Sequence, residues 1–242
     1  LRDRLMNAPD GPFRVLYQNK PTATAVLDDI AAMAQVALEL YQITFLERYL
    51  LDARAFVART ETFWDHTQGG YYLTPPSNVL PTPFKPRFDE PNPSANARMI
   101  EVLSTLALLT GNIQYAQRAN QTLRAFGALA DEPINYRPSA ALLSSAFLAF
   151  DAVQIVLIAQ PDDVAALNLI AEIHKTAVAA RSLLRIEPGT NLPTGHPARY
   201  KEMVDGLPTA YVCRGTVCSL PITTPIKLAH TLHTMRGPAF AP

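Results

Sequence analysis

Residues 27–42, LDDIAAMAQVALELYQ, leave almost no polar face: Ile30, Met33, Ala34, Ala37, Leu38, Leu40 and Tyr41 cover most of the circumference of a helix. A helix of this kind has to be buried nearly all round. The stretch that follows, LERYLLDARAFVART, puts Leu46, Tyr49, Leu50, Ala53, Phe56 and Val57 on one stripe, with Glu47, Arg48, Asp52, Arg54 and Arg59 opposite. That pattern predicts an outer, half-solvated helix. The pair then recurs as PSANARMIEVLSTLALLT and NIQYAQRANQTLRAF. A slide of 66 residues aligns Leu40 with Leu106, Ile43 with Leu109, Thr44 with Thr110, Tyr49 with Tyr115 and Ala53 with Ala119. Helical hairpins that cannot bury their apolar faces singly have to stack on one another. A third apolar stretch, PSAALLSSAFLAF, opens with the same Pro-Ser pair at Pro138 and Ser139.

Start signals are present at both inner helices. Asp28 or Asp29 can cap the first, and Ser94, after Pro93, the second. The connection between the hairpins, FWDHTQGGYYLTPPSNVLPTPFKPRFDEPNPS, is far longer than the ~4–6 residues usual in compact domains. Its GGYYLT segment predicts a short hairpin strand after a Gly-Gly turn.

Beyond residue 150 the pattern changes. AVQIVLIA reads as a buried strand, DDVAALNLIAEIHKTAVAA as a helix and SLLRIE as a second strand, which is one βαβ-like unit. A final helix is expected around IKLAHTLHTM. The expected fold is mainly α: residues 1–150 form helical hairpins, inner apolar ones paired with outer amphipathic ones as in an α/α toroid, and residues 151–242 form a small α/β unit.

Charge excludes some functions. Lys plus Arg and Asp plus Glu both number 21, so nothing favours nucleic acid or an anionic membrane surface. No apolar run approaches the ~20 residues of a membrane span. The chain starts LRDRLMNAPDGPF, without Met and without the apolar core of a signal peptide; it reads as processed or as part of something longer, with the cytoplasm as the expected location.

Cys213 and Cys218 are the only cysteines, and they bracket Arg-Gly-Thr-Val. A tight turn at Arg214–Gly215 or Gly215–Thr216 sets them opposite each other, close enough to bridge. A structural hairpin with buried or reversibly paired thiols is the leading reading, and a redox role is the alternative. The spacing is not that of a C-x-x-C redox centre, and two thiols alone make a poor zinc site. His230 and His233 are three apart on the last helix and His66 and His196 lie in loops, with no HExxH spacing, so no metal is expected. Neither a phosphate-cradling glycine loop nor a G-x-S-x-G elbow occurs, and no cofactor is expected.

Five short segments, LDDIAAM, FWDHTQGGYYLT, FDEPNPSAN, AYVCRGTVC and SLPITTP, resemble in content and order the C-terminal part of the thioredoxin-domain-containing proteins of the spermatogenesis-associated type. That resemblance implies an α/α toroid similar to sugar epimerases and six-hairpin glycosidases, of which this chain holds about half. The rest of the ring would come from the missing N-terminal part of the family or from a protein partner. The chain departs from the family pattern at Ile30, Glu90, Ala95 and Thr224. A sugar-acting toroid carries acids and aromatics at its mouth for proton transfer and ring stacking. Here Asp28, Asp29 and Asp89 would handle protons, and Trp64, Tyr71, Tyr72 and Asn96 would contact the ligand, with Glu90 beside them. The function so implied is binding of a carbohydrate-like ligand, with weak or no catalysis by this chain alone. Any chemistry would be of the sugar isomerase, epimerase or glycosidase kind. The alternative is a non-catalytic structural subunit of a larger complex.

Overall fold

The computed structural model describes residues 12–77, 84–127 and 140–235. They form two compact units, one drawn from Leu1–Leu103 and Ala116–Ala146, the other from Ser104–Tyr115 and Phe147–Pro242. Among the described residues 48% are helical and 17% are in strands, with seven helices and two sheets, of two and four strands. The expectation of a mainly α chain forming part of an α/α toroid is therefore corrected to a mixed α/β fold.

Two features raise the strand content. The first is a hairpin that sequence pattern did not reveal. β1 (Phe13–Tyr17) pairs antiparallel with β2 (Lys20–Thr24), Tyr17 opposite Lys20. Gln18 and Asn19 make the turn at positive φ, 45° and 67°. Hairpin turns of this hand are usually signalled by Asn-Gly, and Gln-Asn carries no such mark. The second is a four-stranded sheet, β4-β3-β5-β6, that absorbs the cysteine hairpin.

In the first unit, α1 (Leu27–Thr44) packs against α2 (Glu47–Arg59). α1 buries Leu27, Ile30, Ala31, Ala34, Ala37, Leu38 and Tyr41 on one side, but Val36 and Ile43 are 52% and 60% exposed, so the helix is not buried nearly all round as its apolar surface predicts. α3 (Ala95–Thr110) and α4 (Ile113–Gly127) follow the long connection, the segment Ser104–Tyr115 at their junction belonging to the second unit. Both inner helices end in the same way. Thr44 Oγ1 donates to Leu40 O at 2.6 Å and accepts from Leu46 N at 3.3 Å; Thr110 Oγ1 donates to Leu106 O at 2.6 Å and accepts from Asn112 N at 3.2 Å. The next residue is left-handed each time, Phe45 at φ 56° and Gly111 at φ 70°. The GGYYLT segment forms a single bridge, Trp64 with Tyr71, instead of a strand, because Asp65 closes the loop into a turn.

α5 (Ala140–Asp151) begins in the first unit and, from Phe147, continues in the second, where it leads into β3 (Val153–Ile158), whose residues are nearly all buried. α6 (Val164–Lys175) is capped by Asp163, which accepts from Ala165 N at 2.7 Å. It returns the chain to β4 (Arg181–Ile186), parallel to β3. β5 (Thr209–Arg214) runs antiparallel on the other side of β3 and turns through Gly215–Thr216 into β6 (Val217–Cys218). α7 (Pro225–Met235) packs on α6 and β5. Cys213 and Cys218 face each other in register and form a disulfide, Cα atoms 4.0 Å apart.

Candidate functional site

The N-terminal ends of α1 and α3, with the connection between the hairpins, enclose a cavity of about 480 Å³ in the first unit. That is within the ~300–1,000 Å³ of small-ligand pockets. Its wall includes Arg14, Asp28, Asp29, Phe84, Glu90 and Arg98. Two backbone contacts hold the connection to the start of α1: Leu27 N donates to Leu73 O at 2.9 Å, and Leu73 N to Phe84 O at 2.8 Å.

The two aspartates at the head of α1 differ in their surroundings. Asp29, at the third helical position, accepts from Val26 N at 2.9 Å and receives Arg14 from β1 at 3.3 Å. It closes the first turn as a helix-capping carboxylate does. The Asp28 carboxylate has no hydrogen bond or ion pair among the described residues. Burial pushes its carboxyl above the usual range and the Asp29 charge adds to this, while Arg98 and Arg14 pull it back. Arg98 stands one turn into α3, whose first turn is capped by Ser94 Oγ accepting from Ala97 N at 3.2 Å.

Asp89 is turned away from that wall, between its lining neighbours Phe88 and Glu90. Its carboxylate accepts from Ser94 N and from Ala141 N, both at 3.0 Å, and so ties the α3 entrance to the start of α5.

Trp64, Tyr71 and Asn96 are buried and lie outside the cavity lining. Trp64 and Tyr71 meet edge to face, centroids 4.8 Å apart and planes at 68°, with the Arg118 guanidinium 4.1 Å above Trp64. Burial pushes the Tyr71 phenol well up. Asn96 accepts from Tyr71 N at 2.8 Å and donates to Tyr71 O at 2.9 Å and Pro86 O at 2.8 Å, so both ends of its amide pin the connection to α3.

Tyr72 leads to a buried polar node that sequence reasoning missed. Its hydroxyl donates to Asp65 at 2.8 Å, and Lys85 reaches the same carboxylate at 2.5 Å. Thr67 donates to the other oxygen from its hydroxyl at 2.7 Å and its backbone at 2.8 Å. Burial on its own would push Asp65 up, but the bonds from Lys85, Thr67 and Tyr72 hold it far below the usual carboxylate range. The signal in the sequence was Asp-His-Thr-Gln-Gly-Gly, an aspartate whose side chain can bond to the backbone two and three residues on. Arg14, Phe84 and Arg98 were missed as well, and no local pattern marks them. Cys213 and Cys218 belong to the other compact unit, Cys213 buried and Cys218 exposed.

Three carboxylates and three guanidiniums, those of Arg14, Arg87 and Arg98, line the cavity together with the exposed ring of Phe84. Such a wall can donate and accept hydrogen bonds at once and press an apolar face against C–H groups. Among the described residues no group of three or more His, Cys, Asp or Glu is placed to hold a metal, and no helix is long and apolar enough to cross a membrane.

No family model matches the chain. It is similar to spermatogenesis-associated protein 20 of Homo sapiens, 26% identical over 231 residues, which is 92% of this chain and 29% of the relative. The proteins of the same name from Rattus norvegicus and Mus musculus are each 26% identical over 230 residues, with the same coverage. The chain thus spans 29% of the length of the curated relatives it matches.

Proposed function

We propose that the cavity at the heads of α1 and α3 binds a small, hydroxyl-rich ligand of the carbohydrate class, and that this chain alone performs little or no catalysis on it. One observation carries the reading: a wall that combines three carboxylates and three guanidiniums with Phe84, which is 60% exposed. A sugar hydroxyl both donates and accepts, so it suits a wall of mixed charge, and the C–H face of a pyranose suits a ring. Little catalysis is proposed because acid–base chemistry on a glycosidic bond usually needs two available carboxyl groups. Of the three aspartates expected to handle protons, Asp29 and Asp89 are already engaged with backbone N–H groups, which leaves Asp28, while Glu90 is exposed to solvent.

The test is ligand-observed NMR and calorimetry with a panel of mono- and disaccharides. Saturable binding that weakens in Phe84→Ala is expected. The absence of saturable binding by every sugar in the panel would overturn the reading.

A structural subunit is the second reading. It is favoured by the engagement of Trp64, Tyr71, Asn96 and Asp89 in holding the connection and helix entrances together. On this reading Asp28→Asn leaves both sugar response and assembly as they were, measured by native mass.

A further inference from the structure

Within the reading of this cavity as a carbohydrate site, we infer that Asp28 and Arg98 are its specificity-determining contacts, and that together they grip the vicinal diol of an uncharged sugar ring. The charged groups of the wall divide into engaged and free ones. Asp29 is held by Val26 N–H and Arg14, and Arg14 by Asp29. Arg87 lies over the Phe88 ring at 4.7 Å, and Glu90 stands exposed at the rim. Asp28 and Arg98 remain, both half-buried in the wall, and neither side chain has a hydrogen bond or ion pair among the described residues. They feel each other's charge, yet they do not close to a direct ion pair.

Two unlike charges that line one cavity without an ion pair between them suit one kind of group well. A ligand anion drawn to Arg98 meets Asp28, Asp29 and Glu90. A ligand ammonium drawn to Asp28 meets Arg98 and Arg14. A neutral diol satisfies both sides: one hydroxyl donates to the Asp28 carboxylate while its neighbour accepts from the Arg98 guanidinium. Each is a charge-assisted hydrogen bond, the stronger kind. Phe84 then takes the C–H face of the same ring.

The experiment is a titration at neutral pH of the wild type, Asp28→Asn, Arg98→Gln and, as a control on α2, Glu47→Gln. The probes are glucose, galactose and mannose, with glucuronate and glucosamine as charged analogues. At least one neutral hexose is expected to bind the wild type more tightly than either charged analogue. Asp28→Asn and Arg98→Gln should each weaken that hexose by about tenfold or more, the scale of a lost hydrogen bond to a charged group, and Glu47→Gln should leave it unchanged. Circular dichroism and a thermal melt establish that each variant is folded, and Arg98→Gln decides the matter should Asp28→Asn not fold. Hexose binding that survives both substitutions overturns this inference and leaves the sugar site standing. Tighter binding of glucuronate or glucosamine does the same. Failure of every hexose on the wild type overturns both.

Discussion

Gln35 and Glu101 stand 66 residues apart, at equivalent positions of the helical-hairpin repeat, and bond to each other: the Gln35 amide donates to the Glu101 carboxyl at 3.2 Å. The faces of α1 and α3 that the repeat makes equivalent therefore meet. They do so through polar groups just beyond Asp28, seven residues before Gln35 on α1, and Arg98, three residues before Glu101 on α3.

The burial of Glu101 sets a pH dependence. Burial pushes the Glu101 carboxyl up, Arg98 pulls it down, and Glu39 and Asp89 push it up again. With a folded-state pKa above the unfolded one, the folded protein binds more protons between the two values, and stability falls as pH rises through that window. Glu101→Gln removes the penalty and keeps an acceptor for Gln35. It is expected to melt above the wild type at neutral pH, the gap closing as the pH approaches the unfolded carboxyl value of about 4.3. Asp28→Asn should behave alike. Melts across a pH series check this, and a gap that does not vary with pH would refute it.

The Asp65–Lys85 pair predicts the opposite trend. The depressed Asp65 contributes stability that is present above its unfolded value of about 3.9 and is lost as the pH falls below it. Asp65→Ala strips the charged partner from Lys85, whose side chain is only 16% exposed and retains its hydrogen bond to Gly69 O, and is expected to destabilise by about 3–5 kcal/mol. Denaturant unfolding of Asp65→Ala, Lys85→Met and the double variant measures the coupling. Additive effects would show that the pair acts independently.

Gly111 ends α3 at φ +70°, and a Cβ there would lie 2.2 Å from the backbone oxygen of Gly195. Both the conformation and the neighbour require glycine. Gly111→Ala should destabilise by at least the ~1–3 kcal/mol of a strained backbone position. Gly189→Ala, with nothing within 4 Å, should lose only the conformational part. Equal melting points for the two variants would contradict the close approach.

The Cys213–Cys218 bridge closes a loop of sequence separation 5. A loop so short stabilises by about 2 kcal/mol in the chain-entropy account. Thiol titration of the native protein should find no free thiol before reduction and two after it. The reduced protein should melt lower with its helix content intact. Two free thiols in the untreated protein would refute the bridge.

Local pattern along the chain was enough for the two helical hairpins and the βαβ segment. The apolar surface of residues 27–42, the stripe of residues 46–57, the buried run 152–159 and the five-residue cysteine spacing each express a preference within a few turns or one hairpin. Even the Thr44 and Thr110 helix ends are local, since each hydroxyl bonds four residues back and two ahead. Tertiary structure decided the rest. The β1–β2 hairpin lacks a glycine turn signal and its strands are mostly exposed, so neither turn chemistry nor burial announced it. The sheet unites β4, β3, β5 and β6 only because β5 crosses back beside β3, a pairing between segments more than 50 residues apart. The cavity draws Arg14, Asp28, Phe84 and Arg98 from four separate stretches. Whether an aspartate caps or faces the cavity depends on which N–H groups the fold brings to it: Asp29 finds Val26 three residues away, and Asp89 finds Ala141 across 52. Periodicity fixes which side of an element is apolar, but the partner of a polar group is set by distance in space, and no spacing along the chain encodes it.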